Sequence, residues 1–275
     1  MKNQKLLDKI HILEFEALQQ LDNICKNNDC KYFLRGGSAL GAVKYSGFVP
    51  WDDDIDVALP RKDYKKLINI MPTEFSGKFI FVSYQKVENS HCYFPRVLLR
   101  DDIRKKFKLP KNNERGLLLI DILPIDGMPE SSIAMKLHIY KAYFYRALAS
   151  LWTIDIKDTV NMHQGKQQQI LNILHSLKIH HLYKQDNIYR HLDQMYSKYQ
   201  FGKTTNAGML ASSKLKKEIV PTNTWGDGTK MKFNGLDVLV PSNYDDYLQR
   251  LFGKDYANRE PSESERKKSH LSGIN

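Results

Sequence analysis

Nine residues, Trp51-Asp52-Asp53-Asp54-Ile55-Asp56-Val57-Ala58-Leu59, constrain this chain more than any other stretch of its 275. Along an extended strand successive side chains face opposite ways. Asp52, Asp54 and Asp56 therefore project to one face, and Asp53, Ile55, Val57 and Leu59 to the other. The apolar face can enter a core, which predicts a half-buried strand rather than a solvated turn. The acidic face then crowds three like charges, an arrangement that is costly unless a cation joins it. Hard oxygen ligands of this kind suit Mg2+ or Mn2+. A calcium loop of the EF-hand type also begins D-x-D-x-D, but it needs Gly at its sixth position and Glu at its twelfth. Counted from Asp52, those positions hold Val57 and Asp63.

Shortly before this run stands Arg35-Gly36-Gly37-Ser38. A glycine turn feeding a helix N-terminus offers backbone N–H groups to a phosphate, and Ser38 is placed to cap such a helix. Carboxylates for a metal beside a cradle for phosphate are the equipment of phosphoryl or nucleotidyl transfer. A third acidic position follows in residues 117–123, where Asp121 stands among six apolar neighbours. A carboxylate is expensive to bury unpaired, so Asp121 is salt-bridged, protonated or a metal ligand, and the acidic strand favours the last. Arg96 and Arg100 fall on one face of an expected strand over residues 93–100, where they could clamp a pyrophosphate; ordinary salt bridges explain them as well. Asp126, in Ile-Asp-Gly after Pro124, reads as a turn former.

The segment LRGGSALGAVKYSGFVPWDDDIDVALPRKDY over residues 34–64 closely resembles the signature of the LicD family, phosphocholine-type transferases of bacterial surface glycans distantly related to fukutin-like ribitol-phosphate transferases. LIDILPIDGMP at 119–129 and VPSNYDDYLQRLFGKDY at 240–256, with the tail at 261–270, fit the same family, so the resemblance covers about residues 15 to 270. It implies an α+β, nucleotidyltransferase-like core of the DNA polymerase beta type, with a metal held by two aspartates of a D-x-D strand and a third on a neighbouring strand. Carried onto this chain, Asp54, Asp56 and Asp121 hold Mg2+ or Mn2+, Arg35, Gly36, Gly37 and Ser38 meet the donor's phosphates, and Asp52 is an outer ligand or the catalytic base. The donor implied is CDP-choline or a related CDP-alcohol. The acceptor is a hydroxyl of a cell-envelope glycan such as a teichoic acid, capsule or lipopolysaccharide precursor. Two alternatives stay open: transfer of the NMP half of the donor, and a non-catalytic partner in a polysaccharide assembly complex.

Bulk properties narrow the class. Apolar content of 41% and charged content of 27% are ordinary for a globular protein. No run approaches the ~18 apolar residues of a membrane span, and the charged first ten residues lack the apolar core of a signal peptide. With Cys25, Cys30 and Cys92 unpaired by any C-x-x-C spacing, a reducing cytoplasm is expected. The net charge is +11, and residues 61–115 hold fourteen Lys/Arg against six Asp/Glu. A solvated basic face, an anionic substrate, or peripheral contact with the inner face of the plasma membrane would each account for that excess. No RNA- or DNA-recognition motif accompanies it, so nucleic acid is not expected as a partner.

Periodicity supplies the rest. Residues 6–25 carry an amphipathic stripe and predict a packing helix. Helices are expected over 61–71, 131–152, 165–177, 185–199 and 244–252, and strands over 31–35, 79–83, 93–100, 117–123 and 237–241. Three parts follow: a catalytic core with its N-terminal helix at 1–129, a helical insertion at 130–205, and a segment returning to the core at 206–275. In the insertion, Tyr140, Tyr143 and Tyr145 could form a choline-binding cage by cation–π contact, although core or snorkelling tyrosines are favoured. His175, His180, His181 and His191 lack metal-ligand spacing and read as surface residues. From residue 260 a polar, partly disordered tail is expected.

Overall fold

A 26-residue helix, α1 (Lys2–Asn27), extends both ends of the predicted helix and turns Ile10, Leu13, Ala17, Leu18, Leu21 and Ile24 into the core. The computed structural model describes residues 2–87, 91–112, 115–154, 166–258 and 260; the expected disordered tail and the family-like stretch at 261–270 lie outside them. After α1 come β1 (Phe33–Leu34), α2 (Gly36–Tyr45), β2 (Ile55–Pro60), α3 (Arg61–Glu74), β3 (Phe79–Val82), β4 (Arg96–Leu99), α4 (Asp101–Lys106) and β5 (Leu117–Gly127). Then follow α5 (Ser132–Ser150), α6 (Lys166–Ser176), α7 (Gln185–Tyr196), β6 (Asn206–Gly208), β7 (Val220–Pro221), β8 (Thr229–Phe233), β9 (Leu236–Val240) and α8 (Tyr244–Phe252).

The protein is α+β. Its main sheet runs β1-β2-β5-β4-β3, with β6 and β7 added beyond the end of β5. Only β2 and β5 are parallel; the other pairs are antiparallel. The acidic run enters this sheet as β2, which begins at Ile55, so Asp52 to Asp54 lead into the strand instead of lying on it. The expected alternation survives: Asp53, Ile55 and Val57 are buried while Asp52, Asp54 and Asp56 are only partly covered. β5 is the longest strand of the sheet, and Asp121 is the one position of its eleven that is not buried. A strand covered on both faces reads as a continuous apolar run. A single opening at Asp121 therefore marks where the cover gives way to a site.

Several local expectations are corrected. β5 continues four residues past the predicted end, through Pro124 and Asp126. Asp126 is no turn former. It is fully buried and receives both Nε (2.7 Å) and Nη2 of Arg61, whose Nη1 donates to Asp193 at 2.6 Å. This paired carboxylate ties the end of β5 to the starts of α3 and to α7, as buried charge requires. His180 is buried as well, stacked against His175 at 4.4 Å and edge-on to Trp152. Tyr140 and Tyr143 are exposed, not core. β8 was not foreseen; it forms a hairpin with β9 through Asn234-Gly235, both at positive φ (48° and 88°), the backbone a tight right-twisted hairpin demands.

Candidate active site

Strand register assembles the site. Asp56 on β2 lies directly beside Asp121 on β5, and Asp121 lies directly opposite Arg96 on β4. On the other side the Arg35 amide, just past β1, donates to the Asp56 carbonyl at 3.1 Å. Neighbours in register point to the same face of a sheet, so four strands present the row Arg35, Asp56, Asp121, Arg96. The two cations flank the two anions. Arg35 Nη1 donates to Asp56 Oδ1 at 2.5 Å and Arg96 Nε to Asp121 Oδ1 at 2.9 Å. Arg96 also lies over the Phe94 ring, 5.1 Å from its centroid.

The glycine turn is shaped by these carboxylates. Gly36 has a left-handed φ of +52°, and a Cβ on it would sit 3.1 Å from Asp56 Oδ2. A Cβ on Gly37 would come within 2.2 Å of Asp52 Oδ2. No side chain fits without moving an acid, so both glycines are explained by close approach. Asp52 thus leans over Gly37 while Asp56 leans over Gly36. Ser38 does not cap: α2 starts at Gly36 with Arg35 as its N-cap residue and no side-chain cap bond. The buried Ser38 hydroxyl instead accepts from the Asp56 amide at 2.8 Å, fixing the acidic strand against the turn.

Sequence reasoning missed the support behind Arg35. Its Nη2 donates to Glu218 Oε1 at 2.7 Å and to Ser212 Oγ at 3.2 Å. Tyr247 Oη donates to Glu218 Oε2 at 2.8 Å and accepts from the Gly36 amide at 3.2 Å. Glu218 and Tyr247 are fully buried. The C-terminal segment therefore returns to brace the turn, and one turn amide is already committed to a protein hydroxyl. Lys214 also bears on this cluster: burial pulls its pKa down against the raising influence of Glu218. Ser212, Lys214 and Glu218 stand in none of the family-like stretches, and Tyr247, inside the stretch at 240–256, gave the one signal.

The electrostatics are strained. Burial pushes the Asp56 carboxyl up to about 7; Arg35 opposes this, while Asp54, Asp121 and Glu218 add to it. Beneath the acidic run, on α1, the His11 Nε2–H donates to the Asp52 carbonyl at 2.7 Å, and its ring stacks on Phe48 at 4.1 Å. Burial depresses the His11 pKa, keeping the ring neutral. One turn along, Glu14 is fully buried with neither carboxyl oxygen hydrogen-bonded. Burial first, then the charges of Asp54, Asp53 and Asp52, hold it well above the ordinary carboxylate range. A neutral Glu14 is the form that this site accommodates.

That assignment has a consequence for stability. Above its unfolded value of 4.5, the native state keeps a proton on Glu14 that the unfolded chain releases, so stability falls as pH rises. The slope from this one group is at most ~1.4 kcal/mol per pH unit. Glu14→Gln should flatten the loss between pH 5 and 8, melting above the parent at pH 8 and near it at pH 4.5. Parallel melting profiles for the two proteins across that range would show Glu14 to be ionised at little cost.

Among the described residues, no three His, Cys, Asp or Glu side chains stand as a ready metal-holding set; Asp56 is turned to Arg35 and Asp121 to Arg96. The chemistry of the donors nonetheless fits a hard divalent cation. Asp54 and Asp121 both repel Asp56 in a partly desolvated place, a cost that such an ion removes. Arg100 is not brought to the site. It falls past the last residue of β4, where the backbone leaves the sheet and Arg100 becomes the N-cap residue of α4. There it is exposed and paired with Asp102 at 2.9 Å.

The segment that builds this geometry is similar in sequence to known proteins. Residues 29–124 match a family model described as LicD/FKTN/FKRP, nucleotidyltransferase domain. The chain is 25% identical over 254 residues to the lipopolysaccharide cholinephosphotransferase LicD of Haemophilus influenzae, covering 90% of this chain and 89% of that protein. It is also 28% identical over 89 residues to an uncharacterized protein of Rickettsia prowazekii, covering 32% of this chain and 33% of that one. A second uncharacterized protein, from Rickettsia typhi, is 26% identical over 72 residues, or 26% of this chain and 23% of its own. The matched span contains Arg35, both glycines, Asp52, Asp54, Asp56, Arg96 and Asp121. The charged row thus falls wholly within the span, residues 29–124, that matches the LicD/FKTN/FKRP nucleotidyltransferase-domain model.

Proposed function

We propose that the protein transfers phosphocholine, or a related alcohol phosphate, from a CDP-alcohol to a hydroxyl of a cell-envelope glycan. The observation that carries this reading is the row Arg35, Asp56, Asp121, Arg96 set against the Gly36-Gly37 turn. Its anionic centre suits a divalent cation, and its cationic ends suit phosphate oxygens. The similarity to the Haemophilus influenzae cholinephosphotransferase over nine-tenths of the chain supports phosphocholine as the group moved and lipopolysaccharide-type glycans as the acceptor class. The sheet is read as a nucleotidyltransferase-like core of the DNA polymerase beta type.

Asp54, Asp56 and Asp121 would hold Mg2+ or Mn2+, which when bound supplies compensation for charge on the phosphate and the leaving group. Arg96 and Arg35 would orient phosphate oxygens from the two ends of the row. Asp52, leaning over Gly37 and only partly covered, is the candidate base for the acceptor proton. The acceptor oxygen bonds to the phosphorus that bears the alcohol, the pyrophosphate P–O bond breaks, and CMP departs with its electron pair.

Two labelled donors test the direction of transfer. With CDP-choline labelled in the choline, label should enter an envelope-glycan acceptor while an equal amount of CMP accumulates. Cytidine label in the glycan, with phosphocholine released, would make the protein a nucleotidyltransferase. Glycan binding without transfer from any CDP-alcohol would leave it a non-catalytic partner in polysaccharide assembly.

A further inference from the structure

Of the twelve large apolar side chains exposed among the described residues, nine lie between Ile133 and Leu182. They are ordered. Ile133, Leu137, Tyr140 and Phe144 repeat at i, i+4, i+7 and i+11 along α5, a single stripe whose members are 57 to 73% exposed. The opposite side of the helix is the one that packs, through Ile139, Ala142 and Ala149. Helix α5 is thus apolar on both faces, and a surface helix that needs only to pack has no use for the second stripe. Ile170 and Ile173 on α6, with Leu177 just past its end, follow at i, i+3 and i+7 and are exposed too. Beside the α5 stripe runs a groove of about 730 Å3 toward α7, walled by Leu137, Tyr140, Phe144 and Met195 with Lys141 and Lys198 at its edge.

The charges around this face name its partner. Helices α5 and α6 contain no Asp or Glu, in a chain that has 31. Lys136, Lys141 and Lys198 are exposed beside the stripe and the groove. Lysines bury their stems against apolar surface and send the ammonium outward, tyrosine rings favour the headgroup level, and a cationic rim is attracted to anionic headgroups. A second copy of the chain would bring the same lysines into opposition, which like-charge contact disfavours. We infer that the outer face of α5, with the groove beside it, is a docking surface for an anionic phospholipid bilayer. The surface is distinct from the basic segment at 61–115, where Arg61, Lys78, Arg96, Arg100, Arg104 and Lys105 are engaged in ion pairs. Among the described residues no helix is long and apolar enough to cross a membrane, so the contact is one of lying on the surface. It stands independently of the reaction assigned above.

Flotation of the full chain with vesicles tests it. Equal mixtures of phosphatidylglycerol and phosphatidylcholine should carry the protein up, pure phosphatidylcholine should carry far less, and added salt should weaken the binding. Leu137→Ser with Phe144→Ser should lower the partition coefficient about tenfold or more, and Lys141→Glu with Lys198→Glu should do the same at low salt. All four positions are exposed, so melting temperatures should not change. Absence of binding to anionic vesicles, or binding untouched by both double variants, overturns the proposal. So does a dimer in solution that Leu137→Ser with Phe144→Ser dissociates, since the face would then join two copies.

Discussion

Asp54→Asn is expected to lower turnover about 10^3-fold, roughly 4 kcal/mol of transition-state stabilisation, in a protein that remains folded. Of the three candidate ligands, removing Asp54 leaves the Arg35–Asp56 and Arg96–Asp121 pairs in place. Asp56 is held by Arg35 and Asp121 by Arg96, so replacing either also takes a counter-charge from a mostly buried guanidinium. The charge of Asp54 raises the pKa of both Asp56 and Glu14, a repulsion that its deletion relieves. In chelator the variant should therefore melt at or above the parent's temperature, while Mg2+ no longer raises that temperature as it does for the parent. Turnover, Mg2+ titration calorimetry and paired melts read these three quantities. Near-normal activity of Asp54→Asn, or full parental activity in chelator, would end the metal hypothesis.

The second large effect belongs to a residue outside every motif. Glu218→Ala should destabilise the fold by ~3–5 kcal/mol, the usual cost of removing one partner from a buried, hydrogen-bonded ion pair. For a chain of this size that corresponds to a melting temperature roughly 6–20 °C lower. Glu218 is fully buried and joins Arg35, Ser212 and Tyr247, so its loss leaves Arg35 with Asp56 as its remaining counter-charge among the described residues and frees the Tyr247 hydroxyl that meets the Gly36 amide. Activity should fall along with stability. Glu218→Gln, which keeps the shape and part of the bonding, should recover most of the melting temperature but leave Arg35 short of one counter-charge, with a weaker response to donor. A Glu218→Ala protein that melts within about 2 °C of the parent would show that the C-terminal segment does not brace the turn.

What the sequence determined by itself is local and periodic. Alternation over residues 52–59 told which aspartates share a face, because a strand's period of two is independent of its neighbours. The amphipathic stripe of α1, the helix at 244–252 and the apolar run before and after Asp121 were legible for the same reason: each is written in consecutive residues. The resemblance of residues 34–64 to the LicD signature came from the same stretch. Only the tertiary structure decided register, and register made the site. That Asp56 stands beside Asp121, and Asp121 opposite Arg96, follows from pairing across β2, β5 and β4; nothing in the sequence states which of several offsets is used. Long-range partners were equally hidden. Arg35 meets Glu218 across 183 residues and Arg61 meets Asp193 across 132, so Asp126 and Ser38 were misjudged when read only against their neighbours. A buried charge is satisfied by whatever the fold brings to it, and that choice belongs to the packed core.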